Sequence, residues 1–447
     1  MSTNTDKANP YRSRLRSPED VASRILNGDS IIVSGGAAQP GALLEALGKR
    51  TDLSAVTVYS AMTLEPPAFL SQQLAAREAG KPFRRSIRLS SFQVGPGERV
   101  AAQRAVADVV PVDSAEVGAF FRQRRVDVLV LGMAMPDEEG RLSLSTNVQW
   151  LPQLLEQGRH QGATIIGEVN RRLPWTYGPT HLGPEVLDYI MEVDRELPEL
   201  HPDVAPTEGP AVGPYLAGLV PDRATIQVGL GEMAQWAALY LEGKKDLGIH
   251  TDVITDSLLY LYEKGAITGR YKGFMDGKWV ASHVLGTRRL YKYVDRNAMI
   301  SLLPTETVTS ANTVARHNKM VSIEEASQVD LTGQVAGGAD HSLNTNPGVQ
   351  RAFHKAAAHS QDGMVVLAST AGDGLQSRVV PQLEAGATVS IPKGDVDRVV
   401  TEYGVAELKG RSAMERALNL IAIAHPNHRD RLAFEARKIG SLDSPNP

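Results

Sequence analysis

Two short stretches of this 447-residue chain hold side chains and glycines spaced for chemistry. The first is Gly229-Leu230-Gly231-Glu232-Met233-Ala234, which follows the β-branched run Thr225–Val228 and opens a helical pattern. It fits the G-x-G-x-x-G/A form, in which backbone N–H groups at a helix start cradle a pyrophosphate or an oxyanion. A plain strand-to-helix turn accounts for the same residues, and Glu232 would repel phosphate. The second is Gly248-Ile249-His250-Thr251-Asp252-Val253-Ile254-Thr255, which places a carboxylate inside an apolar run. As a single strand it predicts His250, Asp252 and Ile254 on one face. A buried carboxylate is costly unless it is paired or used. Asp252 is therefore either a strand-end cap or a catalytic group.

Other polar clusters are less specific. His317 and Lys319 precede the apolar run Met320–Ile323 and could meet phosphates, or form a solvated turn. The Asn- and Gly-rich stretch Ala339–Lys355 reads as a loop that ends in Arg351, His354 and Lys355, cations able to screen an anionic ligand. No metal site is expected: HExxH is missing, and cysteine is absent altogether. The lack of cysteine also excludes disulfides and thiol nucleophiles. Neither a G-x-S-x-G elbow nor a P-loop lysine motif occurs. A net charge of -4 gives no basic field for nucleic acid. No apolar run reaches the roughly 18 residues of a membrane span. The polar, arginine-bearing start has no apolar signal core, so a cytoplasmic protein is expected.

The elements that must position these residues alternate. Ile31–Val33, Val56–Tyr59, Val126–Leu131, Thr164–Val169, Thr225–Val228 and Met364–Leu367 predict buried strands. Gly41–Leu47, Leu151–Gly158, Trp236–Gly243 and Ser257–Gly265 predict helices. The alternation indicates α/β architecture with open parallel sheets. The Pro-rich stretch Leu197–Pro214 reads as a linker. It separates an N-terminal domain, 1–200, from a C-terminal domain, 215–447. The stretches Gly28–Ser60 and Asp222–Thr255 both run strand, Gly-rich turn, helix, basic pair, Asp-Leu, strand. That loose repeat predicts two similar domains, and it sets Asp252 against Val58. Ligands of open parallel sheets bind at the carboxyl ends of strands, often between domains. An active site at the domain interface is therefore expected.

Several further segments resemble the acetyl-CoA hydrolase/CoA-transferase family, particularly its 4-hydroxybutyrate and butyrate–acetate CoA-transferases. They are IQVGLGEMAQWAALYLEGKKDLGIHTDV from Ile226, NKMVSIEEASQVDLTGQV from Asn318, SRVVPQLEAGATVS from Ser377, VVTEYGVAELKGRSAMERA from Val399 and LIAIAHPNHRDRL from Leu420. In the first half, PDEEGRLSLS from Pro136 and GEVNRRLPWTYG from Gly167 are similar as well. The resemblance runs from about Ser17 to Leu432. It implies an interface glutamate that attacks an acyl-CoA thioester and passes through anhydride and enzyme–CoA intermediates. The family segment DLGIHTE reads DLGIHTDV here, so the matching position is Asp252. The resemblance also implies that Gly229, Leu230, Gly231, Glu232 and Met233 bind CoA and stabilise the thioester oxygen. A second family loop, SGxGGQxDF, corresponds to NTNPGVQRAF, with Gly348, Val349 and Gln350 in place of GGQ. Lys319 completes the expected CoA contacts, and Glu324 stands where relatives commonly have Asn.

The expected activity is thus acyl-CoA:carboxylate CoA transfer through Asp252, with no permanently bound cofactor. Acyl-CoA and a small carboxylic acid are the expected partners, in a homo-oligomer. Aspartate is one methylene shorter than glutamate, which withdraws its carboxylate by roughly 1–1.5 Å. A misplacement near 1 Å can cost on the order of 100-fold. The shortening also leaves room for water, so a hydrolase with Asp252 as general base is the alternative. A non-catalytic acyl-CoA binder is a further one. The loops from Ser34 and Gly132 are expected to line an acyl pocket, with Met133 and Met135 either in that pocket or in the core.

Overall fold

The computed structural model describes residues 10–82, 85–201, 207–336, 347–360 and 362–438. The chain divides into two compact units, one of residues 1–200 with 282–306 and one of 201–281 with 307–447. The segment 282–306, placed by the sequence in the C-terminal domain, thus belongs to the first unit. Its backbone is bonded there: Val148 N–H donates to Ser282 O (3.1 Å), Val284 N–H to Thr146 O (2.8 Å) and Leu302 N–H to Tyr177 O (2.8 Å). Its apolar side chains Val284, Leu290, Ile300 and Leu302 are buried. The expected linker Leu197–Pro214 overlaps a helix, Gly209–Leu219, that contains Pro214. Pro210 lies in the first turn of that helix, where a missing N–H costs nothing.

Among the described residues, the first unit carries a seven-stranded sheet. Its order is Asp108–Val109, Ile87–Ser91, Val56–Ser60, Ser30–Val33, Val128–Met133, Thr164–Asn170, Tyr189–Val193, with every neighbouring pair parallel. Val128–Met133 is buried along its whole length, as a strand covered on both faces must be. Met133 is fully buried, its sulfur 3.4 Å from where a Cβ on Gly167 would lie, so it fills the core. Helix Gly41–Gly48 follows Pro40 and has no capping side chain of its own. Glu168 supplies the cap, accepting from Ala42 N–H (3.1 Å) and Leu43 N–H (3.0 Å). Burial pushes the Glu168 carboxyl up to about 7.

The second unit carries a six-stranded sheet among its described residues. Its order is Gly248–Ile249, Thr225–Val228, Met320–Glu325, Met364–Ala368, Arg398–Thr401, Gly404–Glu407; only the last pair is antiparallel. Both units repeat strand, helix, parallel strand, but the repeat is offset. Ile31 pairs with Val58, whereas Ile226 pairs with Ile249. Ile249 therefore takes the place of Val58, and Asp252 lies three residues beyond it. The second unit's connection is shorter: its helix runs through a 3-10 turn at Tyr240–Gly243 almost directly into Gly248.

The strand expected around Asp252 is also broken. Gly248–Ile249 and Val253–Ile254 belong to different sheets, with Asp252 in a bend between them. Residues 247–255 are all buried, so the predicted two-face alternation is lost.

Behind this bend lies a buried basic cluster. His250 Nε2 donates to Val308 O (2.7 Å), and His317 Nδ1 donates to Lys272 O (2.8 Å). The two rings are 4.4 Å apart, and Lys272 Nζ donates to Lys278 O at 2.5 Å. All three side chains are fully buried. His317 is thus a core residue rather than part of a solvated turn. Burial, reinforced by the neighbouring bases, holds His250 well below its usual value and His317 at about 4; burial against the opposing pull of Asp276 holds Lys272 at about 7.

A base whose folded value is depressed takes up protons more readily when unfolded. Stability is then lost as pH falls from the ordinary 6.5 of His317 towards about 4. The linkage slope is about 1.4 kcal/mol per pH unit, or ~3 kcal/mol over that window. His317→Asn keeps a donor for Lys272 O and removes the titration. Urea unfolding at pH 7 and pH 4.5 should show a smaller acid loss for the variant than for the wild type. Equal losses would mean that His317 does not titrate on unfolding.

Candidate active site

Parallel pairing brings two chain segments out at one sheet edge. Thr225–Val228 ends at Gly229, and its neighbour Gly248–Ile249 runs on through His250 and Thr251 to Asp252. His250 N–H continues the ladder to Ile226 O (3.1 Å), and Thr251 N–H turns instead to Val280 O (3.0 Å). Asp252 is 5% exposed. It thus sits at the carboxyl end of the sheet, where open α/β folds bind ligands.

The Gly229 turn requires its glycines for close approach. A Cβ on Gly229 would lie 1.9 Å from Glu324 Oε2, and one on Gly231 would lie 2.3 Å from Glu325 Cβ. Gly229 N–H is used by Ile323 O (2.9 Å), and Met233 N–H by Glu325 Oε2 (2.8 Å). Burial pushes the Glu325 carboxyl up, against the Met233 N–H that favours its charged form. The turn therefore has one helix-start donor already taken and two carboxylates packed against it, which disfavours a pyrophosphate there. The N–H groups of Leu230 and Gly231 donate to no protein acceptor among the described residues. They remain available to an oxyanion. Glu232 is exposed and Met233 is buried in the helix Glu232–Leu239.

A buried polar chain supports this turn. Glu324 accepts from Gln227 Nε2 (2.7 Å), Gln227 Oε1 accepts from Ser322 Oγ (2.5 Å), and Ser322 Oγ lies 3.1 Å from His354 Nδ1. His354 is fully buried and so does not screen a surface anion, whereas Lys355 is exposed. Gln235 makes a second connection. Its Nε2 donates to Gly229 O (2.5 Å), and its Oε1 accepts from Thr255 Oγ1 (2.8 Å) and Ser257 Oγ (2.5 Å). Gln227, Ser322 and Gln235 were not anticipated from sequence. For Gln227 and Ser322 the signal is a polar side chain at a buried position of an otherwise apolar strand; half-buried Gln235 carries no such signal.

The other expected site residues are distributed differently. Lys319 is half-buried with φ 49° and immediately precedes Met320, the residue paired with Thr225. It stands at the amino edge of the sheet, separated from Glu324 by roughly 15 Å of extended strand. The structure thus does not bring Lys319 to the Gly229 turn. Gly348, Val349 and Gln350 belong to the helix Pro347–Ala357 rather than to a loop. Their side chains and the preceding Asn344–Asn346 lie outside the described residues. Among the described residues, no cluster of three or more His, Cys, Asp or Glu is placed to hold a metal ion. No helix among them is long and apolar enough to cross a membrane.

Comparison with known proteins agrees with this architecture. The model of the acetyl-CoA hydrolase/transferase N-terminal domain matches residues 1–199, and that of the C-terminal domain matches 286–436. The segment carrying Gly229 and Asp252 falls between the two matches, but whole-chain relatives span it. The chain is 33% identical to the 4-hydroxybutyrate coenzyme A transferase of Clostridium kluyveri, over 96% of this chain and 98% of that protein. It is 32% identical to the succinyl-CoA:cyclohexane-1-carboxylate CoA transferase of Geobacter metallireducens, over 97% of each. The crystal structure of RipA from Yersinia pestis superposes with a TM-score of 0.88 at 27% identity, covering 97% of this chain and 99% of that one. Two family domains matched in order, with relatives of this similarity along nearly the whole length, establish that the chain belongs to the acetyl-CoA hydrolase/transferase family.

Proposed function

We propose that this chain transfers CoA from an acyl-CoA to a small carboxylic acid, with Asp252 as the nucleophile. The observation that carries this is a buried carboxylate at the same sheet edge as two backbone N–H groups that have no protein acceptor among the described residues. An Asp252 oxygen attacks the thioester carbonyl carbon. The oxyanion so formed accepts from the N–H groups of Leu230 and Gly231, each such donor typically supplying about 3–4 kcal/mol. The C–S bond breaks, CoA leaves as thiolate, and an acyl–aspartyl anhydride remains. The thiolate then attacks the aspartyl carbonyl, which releases the acyl group as its carboxylate and leaves CoA on Asp252. The acceptor carboxylate attacks that thioester, and the returning thiolate attacks the acceptor side of the second anhydride. The product is the new acyl-CoA, and the Asp252 carboxylate is restored.

The carboxylates of Glu324 and Glu325 favour the neutral thioester and pantetheine end of CoA at this turn over its phosphates. The shorter reach of aspartate supports a second reading. Water could occupy the space left by the missing methylene, and Asp252 would then act as general base in acyl-CoA hydrolysis. A relative in Yarrowia lipolytica, 26% identical over 52% of this chain, is an acetyl-CoA hydrolase.

Incubation with a panel of acyl-CoAs, with and without acetate, separates the readings by mass detection of the CoA species. Transfer predicts acetyl-CoA only when acetate is present; hydrolysis predicts free CoA without any acceptor. Survival of every thioester would overturn both. Asp252→Asn should lower either activity on the order of 10³-fold or more, because it removes nucleophile and base together. Undiminished turnover would remove Asp252 from the mechanism. Asp252→Glu restores the missing methylene and should preserve or raise transfer while suppressing hydrolysis; loss of transfer would show a site built to the length of aspartate.

A further inference from the structure

Gln235 lies in the helix that follows the Gly229 turn, and its amide joins two segments of the site. Gly229 O can only accept, so the nitrogen of the Gln235 amide must face it, and the orientation of that side chain follows. The amide oxygen then faces Thr255 and Ser257, whose hydroxyls must donate to it. Thr255 is the N-cap residue of helix Asp256–Glu263, yet its side chain makes no capping bond. Its hydroxyl goes to Gln235 instead, forgoing the usual capping bond. The Gly229–Leu230 peptide is planar and trans, so its C=O and N–H point in opposite directions. Holding Gly229 O against Gln235 therefore turns Leu230 N–H away from the helix, on the side where it has no protein acceptor among the described residues.

We infer that Gln235 is a positioning residue for the acyl-transfer site. It orients the Leu230 N–H as an oxyanion donor and ties that donor to the 252–257 segment that carries the nucleophile. This inference rests on the proposed thioester chemistry. The amide sits in a three-point arrangement, one donation and two acceptances, that no other natural side chain reproduces at this length. The carboxylate of a glutamate would keep both hydroxyl contacts but set a lone pair against Gly229 O. Only its protonated form would restore the donor.

Three measurements test it. Gln235→Met, similar in shape but without donor or acceptor, should lower kcat on the order of 10- to 100-fold with KM little changed, because the lost interaction serves the transition state. Gln235→Glu should show a comparable deficit near pH 8 that shrinks relative to wild type as pH falls and its carboxyl protonates. A packing role alone would give a deficit independent of pH, which would overturn the inference. So would wild-type kcat in Gln235→Met. Hydrogen–deuterium exchange of the peptide spanning residues 229–233 needs no substrate, and it separates failure of this inference from failure of the proposed reaction. Faster exchange there in folded Gln235→Met supports the clamp even if no thioester is turned over. Unchanged exchange overturns it whatever the activity.

Discussion

The strand Thr225–Val228 is paired on both sides, to Gly248–Ile249 and to Met320–Glu325, and the candidate site depends on that double pairing. Because all three strands run parallel, their carboxyl ends come out together. The Gly229 turn, Asp252, Glu324 and Glu325 therefore share one edge of one sheet although the chain separates them widely. A one-residue slip of any strand would reverse the side chains it presents and move the turn relative to the carboxylate. The interior of the sheet guards against this with a buried polar chain of Glu324, Gln227 and Ser322, whose bonds can be made in only one register.

Charge is managed differently at the two ends of this region. Where the site opens, carboxylates are gathered and satisfied by amide donors. Behind it, His250, His317 and Lys272 are kept from water, with their hydrogens directed at backbone carbonyls. Neutral imidazoles tolerate burial far better than charged ones. The result is a pair of imidazoles held neutral by burial beside the segment that leads to Asp252.

Much of the framework could be read from the chain because buried parallel strands announce themselves as short β-branched runs. Thr225–Val228 matches its expected bounds, and Val56–Ser60 and Thr164–Asn170 each extend one residue beyond theirs. The site was only partly legible. Asp252 and the Gly229 turn stood out because a carboxylate in an apolar run and clustered glycines are local signals. The position of Asp252 beyond the strand was not, since the offset between Val58 and Ile249 arises from a shorter connection that a loose repeat conceals. Lys319 illustrates the same limit: a cation before an apolar run does not reveal at which end of the sheet it will stand. The bonds of Gln235 could not be foreseen from sequence because they join the Gly229 turn to Thr255 and Ser257, some twenty residues beyond Gln235. Its polarity looks like that of any helix surface.

The return of residues 282–306 to the first unit has a consequence for how the protein is made. A chain emerging from the ribosome has its first 200 residues available early, yet the unit they begin still lacks the segment that bonds to Thr146, Val148 and Tyr177. The first unit can be completed only after residue 306 has emerged, by which time the opening portion of the second unit, including the Gly229 turn and Asp252, is already out. Vectorial folding of one finished domain after another is therefore closed to this molecule. The two units must mature interleaved, and a cut at the apparent linker would separate neither cleanly.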